Sequence, residues 1–235
     1  MSKPPVLIVF CREPVPGQTK TRLMTHVGAR DSAALAEAFI IDTLAKAARI
    51  APGRVIIAGT ASGPVERSAF FRKAAQRFKT KLIDQGKGSL GSRMARTLAP
   101  FAGEGALLIG TDLPSLPLSA LDELSGLLAR RRLVFGPSLD GGYYAIGVRG
   151  PMPPVFEGIR WGTARVLEST MLRLKRAGLT AALGPVWHDV DRWPDVMLLC
   201  EYLRRLESDP RRRSPHPCPA TARVLRRLGL LARRR

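Results

Sequence analysis

Three cations lie within eleven residues near the start of the chain, at Arg12, Lys20 and Arg22. Prolines stiffen the segment between them, and Gly17 lets the backbone approach a ligand closely. Guanidinium and ammonium groups bind phosphate through charge-assisted hydrogen bonds, so this segment predicts a cradle for a diphosphate. The alternative is a solvated basic turn. The segment is not a Walker A loop, because Thr19 stands where the glycine before the lysine is required.

A second phosphate-binding candidate is the segment 86–91, GKGSLG, which matches the pattern GxGxxG. It ends at Gly91, and Arg93 follows in the first turn of a predicted helix, whose N-terminus is a candidate contact for a nucleotide. The pattern also occurs in NAD-binding proteins. The preceding strand, residues 80–84, is too polar for the central strand of such a unit, which weighs against NAD.

An isolated carboxylate, Asp112, follows the most apolar predicted strand of the chain, residues 106–110. A single anionic ligand at a sheet edge suits Mg²⁺ or Mn²⁺ that bridges a diphosphate. The alternative is a turn or capping aspartate. No basic residue occurs within residues 107–116, which predicts a cation from solvent as the partner of Asp112.

Two further segments carry carboxylates. In the sequence HDVDRWPD, Asp189 and Asp191 share one side if the chain is extended, as a second metal ligand or an acceptor-side base would require. The same aspartates also suit the start of a helix. The turn Asp140-Gly141-Gly142 forms hairpins without any functional role, so both interpretations stay open for it.

The elements that position these residues follow from the hydrophobic pattern. Short β-branched runs alternate with amphipathic stretches of helical length, which predicts a mostly parallel α/β sheet covered on both faces. The predicted strands are residues 6–10, 54–59, 81–84, 106–110, 133–136 and 143–148, with a short one near 181. The predicted helices are residues 31–50, 65–78, 90–101, 118–132, 163–177 and 194–206. The close-set strands at 133–148 predict one antiparallel strand.

Composition excludes several classes of protein. The 235 residues are 45% hydrophobic and 24% charged, as in an ordinary globular protein, and no apolar run approaches the ~20 residues of a membrane span. The N-terminus predicts a first strand of a cytoplasmic protein rather than a leader. Three widely spaced cysteines predict neither a disulfide framework nor a zinc site.

The net charge of +19 is the unusual property of this composition. Eleven arginines against two acidic residues from Arg204 onward account for +9 of it. Since no zinc-finger, KH or RNP signature accompanies them, the sequence argues against nucleic acid as the main partner. We expect a domain over residues 1–208 and a basic tail over 209–235. In that tail, a linker (209–219) precedes a helix (220–232) that we interpret as a solvated appendage, dispensable for turnover.

Six motifs together resemble a known family. In order they are PVPGQTKTRL, QGKGSLGSRM, IGTDLPSL, GPSLDGGYYAIG, IRWGTARVLEST and DVDRWPD. Their order and spacing resemble the DUF2064 family of bacterial GT-A-like glycosyltransferases, relatives of the molybdenum-cofactor and phospholactate nucleotidylyltransferases. The resemblance covers about residues 5–205. It implies a three-layer α/β/α fold of the nucleotide-diphospho-sugar transferase type.

The resemblance also implies roles for individual residues. The residues that the resemblance implies in nucleotide binding are Arg12, Gly17, Lys20 and Arg22, and the candidate set is completed by Gly91, Arg93 and Asp112. The residues implied on the sugar or acceptor side are Asp140, Gly141, Gly142, Tyr143, Trp161 and Thr163. The candidate metal ligands are Asp112, Asp189 and Asp191, and the candidate catalytic residues are Lys20, Asp112 and Asp191.

The leading functional expectation is Mg²⁺- or Mn²⁺-dependent transfer of a sugar from a nucleotide sugar to a small-molecule acceptor. The alternative is nucleotidyl transfer, guanylyltransferase-like, from a nucleoside triphosphate to a phosphorylated acceptor. The absence of a second Pro-Lys pair soon after Arg22 favours glycosyl transfer. A third hypothesis is a non-catalytic protein that binds nucleotide or nucleic acid.

Overall fold

The computed structural model of the chain describes residues 3–211 and 215–231. Its centre is one seven-stranded sheet in the order β3-β2-β1-β4-β6-β5-β7. The strands are β1 (Val6–Arg12), β2 (Val55–Thr60), β3 (Lys81–Asp84), β4 (Ala106–Ile109), β5 (Leu133–Pro137), β6 (Tyr143–Val148) and β7 (Ala182–Leu183). Strand β6 runs antiparallel to both of its neighbours, and the other pairings are parallel. The predicted mostly parallel sheet with one antiparallel strand is confirmed.

Helices cover both faces of this sheet. They are α1 (Met24–Ile50), α2 (Ala69–Phe78), α3 (Leu90–Leu98), α4 (Leu118–Arg130), α5 (Val166–Arg176), α6 (Trp193–Ser208) and α7 (Pro219–Arg227). Successive side chains of a strand point to opposite faces. Leu7 and Val9 of β1 therefore pack with α1, α2 and α4, whereas Ile8 packs with α3 and α5. The predicted three-layer α/β/α arrangement is confirmed.

Helix α1 begins earlier than the sequence predicts. The sequence predicts a helix over residues 31–50, but the helix begins at Met24 and is interrupted at Gly28, whose φ is +75° and ψ is 169°. Such a backbone conformation is accessible to glycine and strained for other residues. The first turn of α1 therefore leaves the helix axis at Gly28, close to the end of the loop that follows β1.

The C-terminal helix α7 packs on α1. Besides the hydrophobic clusters on the two faces of the sheet, a third cluster joins Leu35 and Phe39 of α1 to residues of α6 and α7. Asp42, buried in α1, accepts hydrogen bonds from the backbone N–H of Ala220 (2.9 Å) and from both the N–H and the hydroxyl of Thr221 (2.8 and 2.7 Å). Asp42 thus caps α7 in place of a residue of α7 itself.

The interpretation of the tail helix as a solvated appendage is wrong, because its apolar side is buried in this third cluster. Residues 212–214 of the predicted linker and residues 232–235 lie outside the described residues. Within the described part of the chain, none of the helices has the length and apolar character needed to cross a lipid bilayer.

One turn after Asp42, the buried Lys46 ties α1 to the loop that follows β4. Its ammonium donates to the carbonyl oxygens of Pro114 (2.7 Å) and Leu116 (2.9 Å). Burial lowers the pKa of Lys46 to about 8, against the opposing charge of Asp42. Helix α1 therefore holds both the C-terminal helix and the loop in which Asp112 lies.

Truncation after Ser208 is expected to lower the free energy of unfolding by about 3 kcal/mol or more. It removes buried side chains such as Leu225 from the third cluster and leaves the buried Asp42 without its donors. Urea unfolding measures the change. Arg223→Ala, on the exposed side of α7, is the control that should leave stability unchanged. Equal stability of the truncated and full chains would contradict this role for α7.

Lys46→Met is expected to change the pH dependence of stability. The pKa of Lys46 is about 8 in the folded protein, whereas an unperturbed lysine has a pKa of 10.5, so between these pH values the unfolded chain binds more protons at this residue. This residue therefore makes the free energy of unfolding rise with pH. The difference between wild type and Lys46→Met should grow in favour of wild type by on the order of 3 kcal/mol across that window.

Urea unfolding at a series of pH values from about 7 to about 10 provides the comparison. The other titrating groups are common to both proteins, so the difference isolates Lys46. A difference that stays constant with pH would show that Lys46 is charged to the same extent in the folded and unfolded chains.

Candidate functional site

A cleft of about 570 Å³ opens at the carboxyl edge of the sheet. The chain adds β2 and β3 on one side of β1 and then places β4 on the other side. In open α/β sheets, ligands bind where the strand order reverses in this way. The loops after β1, β3 and β4 line the cleft together with the start of β6, which reaches the same edge because β6 is antiparallel.

Two arginines lie close together on the β1 to β3 side of the cleft. The guanidinium of Arg93 lies over the ring of Phe10, 5.7 Å from its centroid. Burial and then the neighbouring Arg12 lower the pKa of Arg93. Its buried Nε has no hydrogen-bond partner among the described residues. Like charges near an unsatisfied donor make this half of the cleft a binding place for an anion.

Gln85, which sequence analysis missed, orients Arg93. The buried amide donates to the carbonyl oxygens of Cys11 (2.9 Å) and Ala58 (2.8 Å) and accepts from Nη1 of Arg93 (2.8 Å). It thereby connects the ends of β1 and β2 to α3. The sequence feature that could have identified Gln85 is its position, because it is a polar residue directly after a strand and directly before a glycine.

The ammonium of Lys20 lies between two carboxylates in the middle of the cleft. Its Nζ is 2.6 Å from Oδ1 of Asp112 and 2.7 Å from Oδ1 of Asp191, and it donates to the carbonyl oxygen of Val190 at 2.8 Å. These contacts account for its three N–H donors. Although burial lowers the pKa of Lys20, the two carboxylates raise it above its ordinary value.

The backbone at Lys20 is also unusual, with a φ of +50° in the left-handed region. A non-glycine residue there costs on the order of 1 kcal/mol and persists where the surroundings require it. The expectation of a cation from solvent at Asp112 rested on the absence of a basic residue within residues 107–116, but Lys20 of the loop after β1 contacts this carboxylate. This pairing also means that Lys20 binds a phosphate directly only by exchanging one of its present contacts.

Carboxylates crowd the β4 to β5 side of the cleft. Ser138 donates a hydrogen bond to Oδ2 of Asp189 at 3.0 Å. Burial, followed by the charges of Asp112, Asp140 and Asp191, raises the pKa of Asp189 to about 7 despite that hydrogen bond. This half of the cleft therefore repels further negative charge and favours cations or neutral hydroxyl groups.

The three predicted metal ligands do not form a preassembled metal centre. Over residues 3–211 and 215–231, no three side chains of His, Cys, Asp or Glu are placed to hold a metal ion. Lys20 occupies one oxygen of Asp112 and one of Asp191, while Ser138 bonds Asp189. Asp112 and Asp191 are about half exposed, so each presents its carboxylate to the cleft as well as to Lys20.

Some of the predicted site residues line the cleft, and the rest lie outside it. The ones that line the cleft are Arg12, Lys20, Arg22, Arg93, Asp112, Tyr143, Asp189 and Asp191. Gly17 lies in an exposed turn with a φ of +83°, outside the cleft wall. Gly91 also lies outside it, where a Cβ would come within 2.8 Å of the Trp161 ring and the Phe156 carbonyl oxygen. Its role in the structure is close packing.

Trp161 contacts a residue of the cleft but does not line the cleft itself. Its ring lies edge-on to Tyr143, with centroids 6.2 Å apart, and only Tyr143 of the two lines the cleft. Thr163, nearby, is exposed and its hydroxyl donates to the carbonyl oxygen of Arg160 at 2.9 Å.

The segment 140–142 forms a tight turn. Asp140 accepts a hydrogen bond from the N–H of Gly142 at 2.9 Å. Gly141 has a φ of +86°, and a Cβ there would collide with the carbonyl oxygen of Ala164, so the turn requires glycine. The tight turn, which the sequence offered as the alternative to a functional role for this motif, is therefore formed. None of the three residues lines the cleft, although the charge of Asp140 reaches Asp189.

Comparison with known proteins gives relatives by sequence and by fold. The family model described as "Uncharacterized protein conserved in bacteria (DUF2064)" matches residues 43–163. A crystal structure of a proposed nucleotide-diphospho-sugar transferase from Desulfovibrio desulfuricans G20 is 30% identical to this chain. The alignment covers 97% of this chain and 96% of that one, with a TM-score of 0.80. No curated protein matches the chain.

Two more distant structures share the fold alone. The inositol-1-phosphate CTP transferase from T. maritima is 12% identical over 83% of this chain and 93% of that one, with a TM-score of 0.52. The CMP:2-keto-3-deoxy-manno-octonic acid synthetase complexed with CTP is 14% identical over 88% and 100%, with a TM-score of 0.50. Because the family model spans more than half of the chain and the Desulfovibrio relative nearly all of it, this protein belongs to the DUF2064 family and has a GT-A-like fold.

Proposed function

We propose that this protein is a glycosyltransferase that moves a sugar from a nucleotide-diphospho-sugar to a hydroxyl group of a small acceptor. The observation that carries the proposal is the division of the cleft into a cationic half and an anionic half, with Lys20 between them. The description of the 30% identical Desulfovibrio relative supports the same class of donor.

The cationic half suits the diphosphate of the donor. Arg12 and Arg93 supply two guanidinium groups, each able to form paired hydrogen bonds with phosphate oxygens. Gln85 fixes Arg93 before any ligand binds, so little side-chain entropy is lost on binding. Arg22 also lines the cleft and adds a third positive charge.

The two carboxylates that contact Lys20 suit a divalent cation. Asp112 and Asp191 are about half exposed and lie near other carboxylates, and a single ammonium neutralises only one of their two negative charges. Mg²⁺ is commonly held by one or two carboxylates together with substrate phosphates, and this donor set fits that pattern. The chemistry that such a cation supplies is neutralisation of the charge that builds up on the departing nucleoside diphosphate.

The anionic half suits an uncharged acceptor. Lys20 holds Asp191 in place, and this carboxylate accepts a hydrogen bond from the attacking hydroxyl group. In the transfer, the bond between the anomeric carbon and the diphosphate breaks, a bond to the acceptor oxygen forms, the proton of that hydroxyl group passes to Asp191, and the nucleoside diphosphate leaves as an anion. Nucleotidyl transfer would require a phosphorylated acceptor among Asp112, Asp189 and Asp191, whose charges repel it.

Nucleotide binding is expected to depend on Arg93. A thermal-shift panel of nucleoside diphosphates, triphosphates and nucleotide sugars, each with and without Mn²⁺, identifies the preferred ligand class from its stabilisation. We expect nucleotide sugars with Mn²⁺ to stabilise most. Arg93→Met, which retains an apolar stem over Phe10, should weaken the binding of that ligand by about 1.5–3 kcal/mol.

The matched control is Arg72→Met, which removes an exposed arginine on α2 away from the cleft and should bind as wild type does. Equal binding by Arg93→Met would exclude this arginine from the nucleotide site. A preference for triphosphates over nucleotide sugars would instead favour nucleotidyl transfer.

Asp112→Asn is expected to reduce metal-dependent turnover of the preferred nucleotide sugar by about 10²-fold or more, on the order of 3 kcal/mol of transition-state stabilisation. The amide keeps the shape of the side chain and removes the charge that binds a cation. Release of nucleoside diphosphate with increasing Mn²⁺ is the measurement.

The control for this variant is Asp122→Asn, an exposed position on α4. If Asp112→Asn responds to Mn²⁺ as wild type does, or if turnover is indifferent to EDTA, the metal-dependent mechanism is wrong. A melting temperature close to that of wild type is needed to attribute the loss to chemistry rather than to unfolding.

A further inference from the structure

Lys20 contacts the two carboxylates to which the proposed function assigns a divalent cation. Its Nζ is 2.6 Å from Oδ1 of Asp112 and 2.7 Å from Oδ1 of Asp191. The lysine side chain is only 7% exposed, whereas the two aspartate side chains are 48% and 43% exposed. A cation from solvent therefore reaches both carboxylates, but it finds an ammonium already bound to them.

The charges of these three groups oppose a divalent cation that arrives alone. One ammonium and two carboxylates carry a formal charge of −1, which a divalent cation would change to +1. That cation would also lie close to the ammonium. Repulsion between like charges about 4 Å apart is appreciable even in water and larger where water is excluded. Lys20 therefore competes with a divalent cation for Asp112 and Asp191.

A diphosphate in the cationic half of the cleft removes this conflict. Lys20 lines the same cleft as Arg12 and Arg93, and an ammonium binds phosphate oxygens through charge-assisted hydrogen bonds. When Lys20 exchanges a carboxylate for a phosphate oxygen, that carboxylate becomes available to a cation. The anion also offsets the positive charge that the cation adds.

Lys20 keeps other partners during such an exchange. Its ammonium donates to the carbonyl oxygen of Val190 at 2.8 Å and lies 5.2 Å from the centroid of the Phe39 ring. Its backbone φ of +50° is a strained conformation of a kind that clusters at ligand clamps and switch segments. The exchange therefore replaces a charged contact without leaving the buried ammonium unpaired.

We propose that Lys20 makes the binding of a divalent cation in the cleft conditional on the diphosphate of the donor. Before the donor binds, the ammonium takes the place of the cation and offsets the repulsion between the two carboxylates. When the donor binds, the ammonium turns to the diphosphate and the cation binds the carboxylates. Because coupling between two ligands is reciprocal, each strengthens the binding of the other. This inference rests on the divalent-cation site of the proposed function and adds an order of binding to it.

The first test titrates the full chain with Mn²⁺ alone and follows the electron paramagnetic resonance signal of the free ion. We expect Lys20→Met to bind Mn²⁺ about tenfold or more tightly than wild type, because the variant leaves two carboxylates without their ammonium. Lys20→Gln removes the same charge while its amide still donates hydrogen bonds, so it provides the measurement if the methionine variant does not fold.

The matched control is Lys73→Met, which removes one positive charge from an exposed position of α2. It should bind Mn²⁺ as wild type does, so that a general effect of net charge is separated from the effect at the cleft. Unchanged or weaker binding of Mn²⁺ by the Lys20 variants would overturn the proposal.

The second test measures the coupling between cation and diphosphate by thermal shift. Mn²⁺ and a nucleoside diphosphate, which is UDP, GDP or ADP in turn, are added separately and together. In wild type the joint stabilisation should exceed the sum of the separate ones, and this excess should be smaller in Lys20→Met. An equal excess in both proteins would assign the coupling to direct contact between metal and phosphate and would overturn the role of Lys20.

These outcomes are separable from those that test glycosyl transfer, because neither measurement requires turnover. Tighter binding of Mn²⁺ by the Lys20 variants, with a smaller coupling, would support the exchange even if no nucleotide sugar were turned over. Metal-dependent turnover by wild type, together with unchanged Mn²⁺ binding by the Lys20 variants, would overturn the exchange and leave the proposed function intact.

Discussion

The contact of Lys20 with Asp112 and Asp191 is the interaction on which the candidate site depends. It joins the loop after β1, the loop after β4 and the segment before α6, and the two ion pairs connect positions far apart in the sequence. A buried ammonium is stable only when its charge and its donors are satisfied, so each carboxylate is needed where it lies. The ion pair places the two carboxylates at the reversal point of the sheet before any ligand binds.

Helix α1 connects the loop that carries Asp112 to the C-terminal helix α7. Asp42 caps α7, and Lys46, one turn later, binds the loop that carries Asp112. The C-terminal helix and the loop that carries Asp112 are therefore both bound to the same helix. The family model covers residues 43–163, which include Arg93 and Asp112, while Lys20 and Asp191 reach the cleft from outside that range.

The electrostatics of the cleft are compatible with a charged donor and an uncharged acceptor. A chain with a net charge of +19 nevertheless gathers Asp112, Asp189 and Asp191 at one side of the cleft. Arg12 and Arg93 lie on the β1 to β3 side of the cleft, and eleven of the 38 basic residues of the chain occur from Arg204 onward. The net charge of the chain therefore does not describe the cleft, which carries charges of both signs.

The sequence by itself determined the layers and the location of the chemistry. Apolar runs such as residues 106–110 and the amphipathic stretches between them depend on local periodicity, and parallel strands bring Arg12 and Asp112 to one edge of the sheet. Only the tertiary structure decided how the charges pair. The contacts of Lys20 with Asp191, of Gln85 with Arg93 and of Asp42 with Thr221 depend on which loop and helix ends meet in space. A local sequence pattern does not predict these side-chain contacts, because they result from the packing of elements that are distant in the chain.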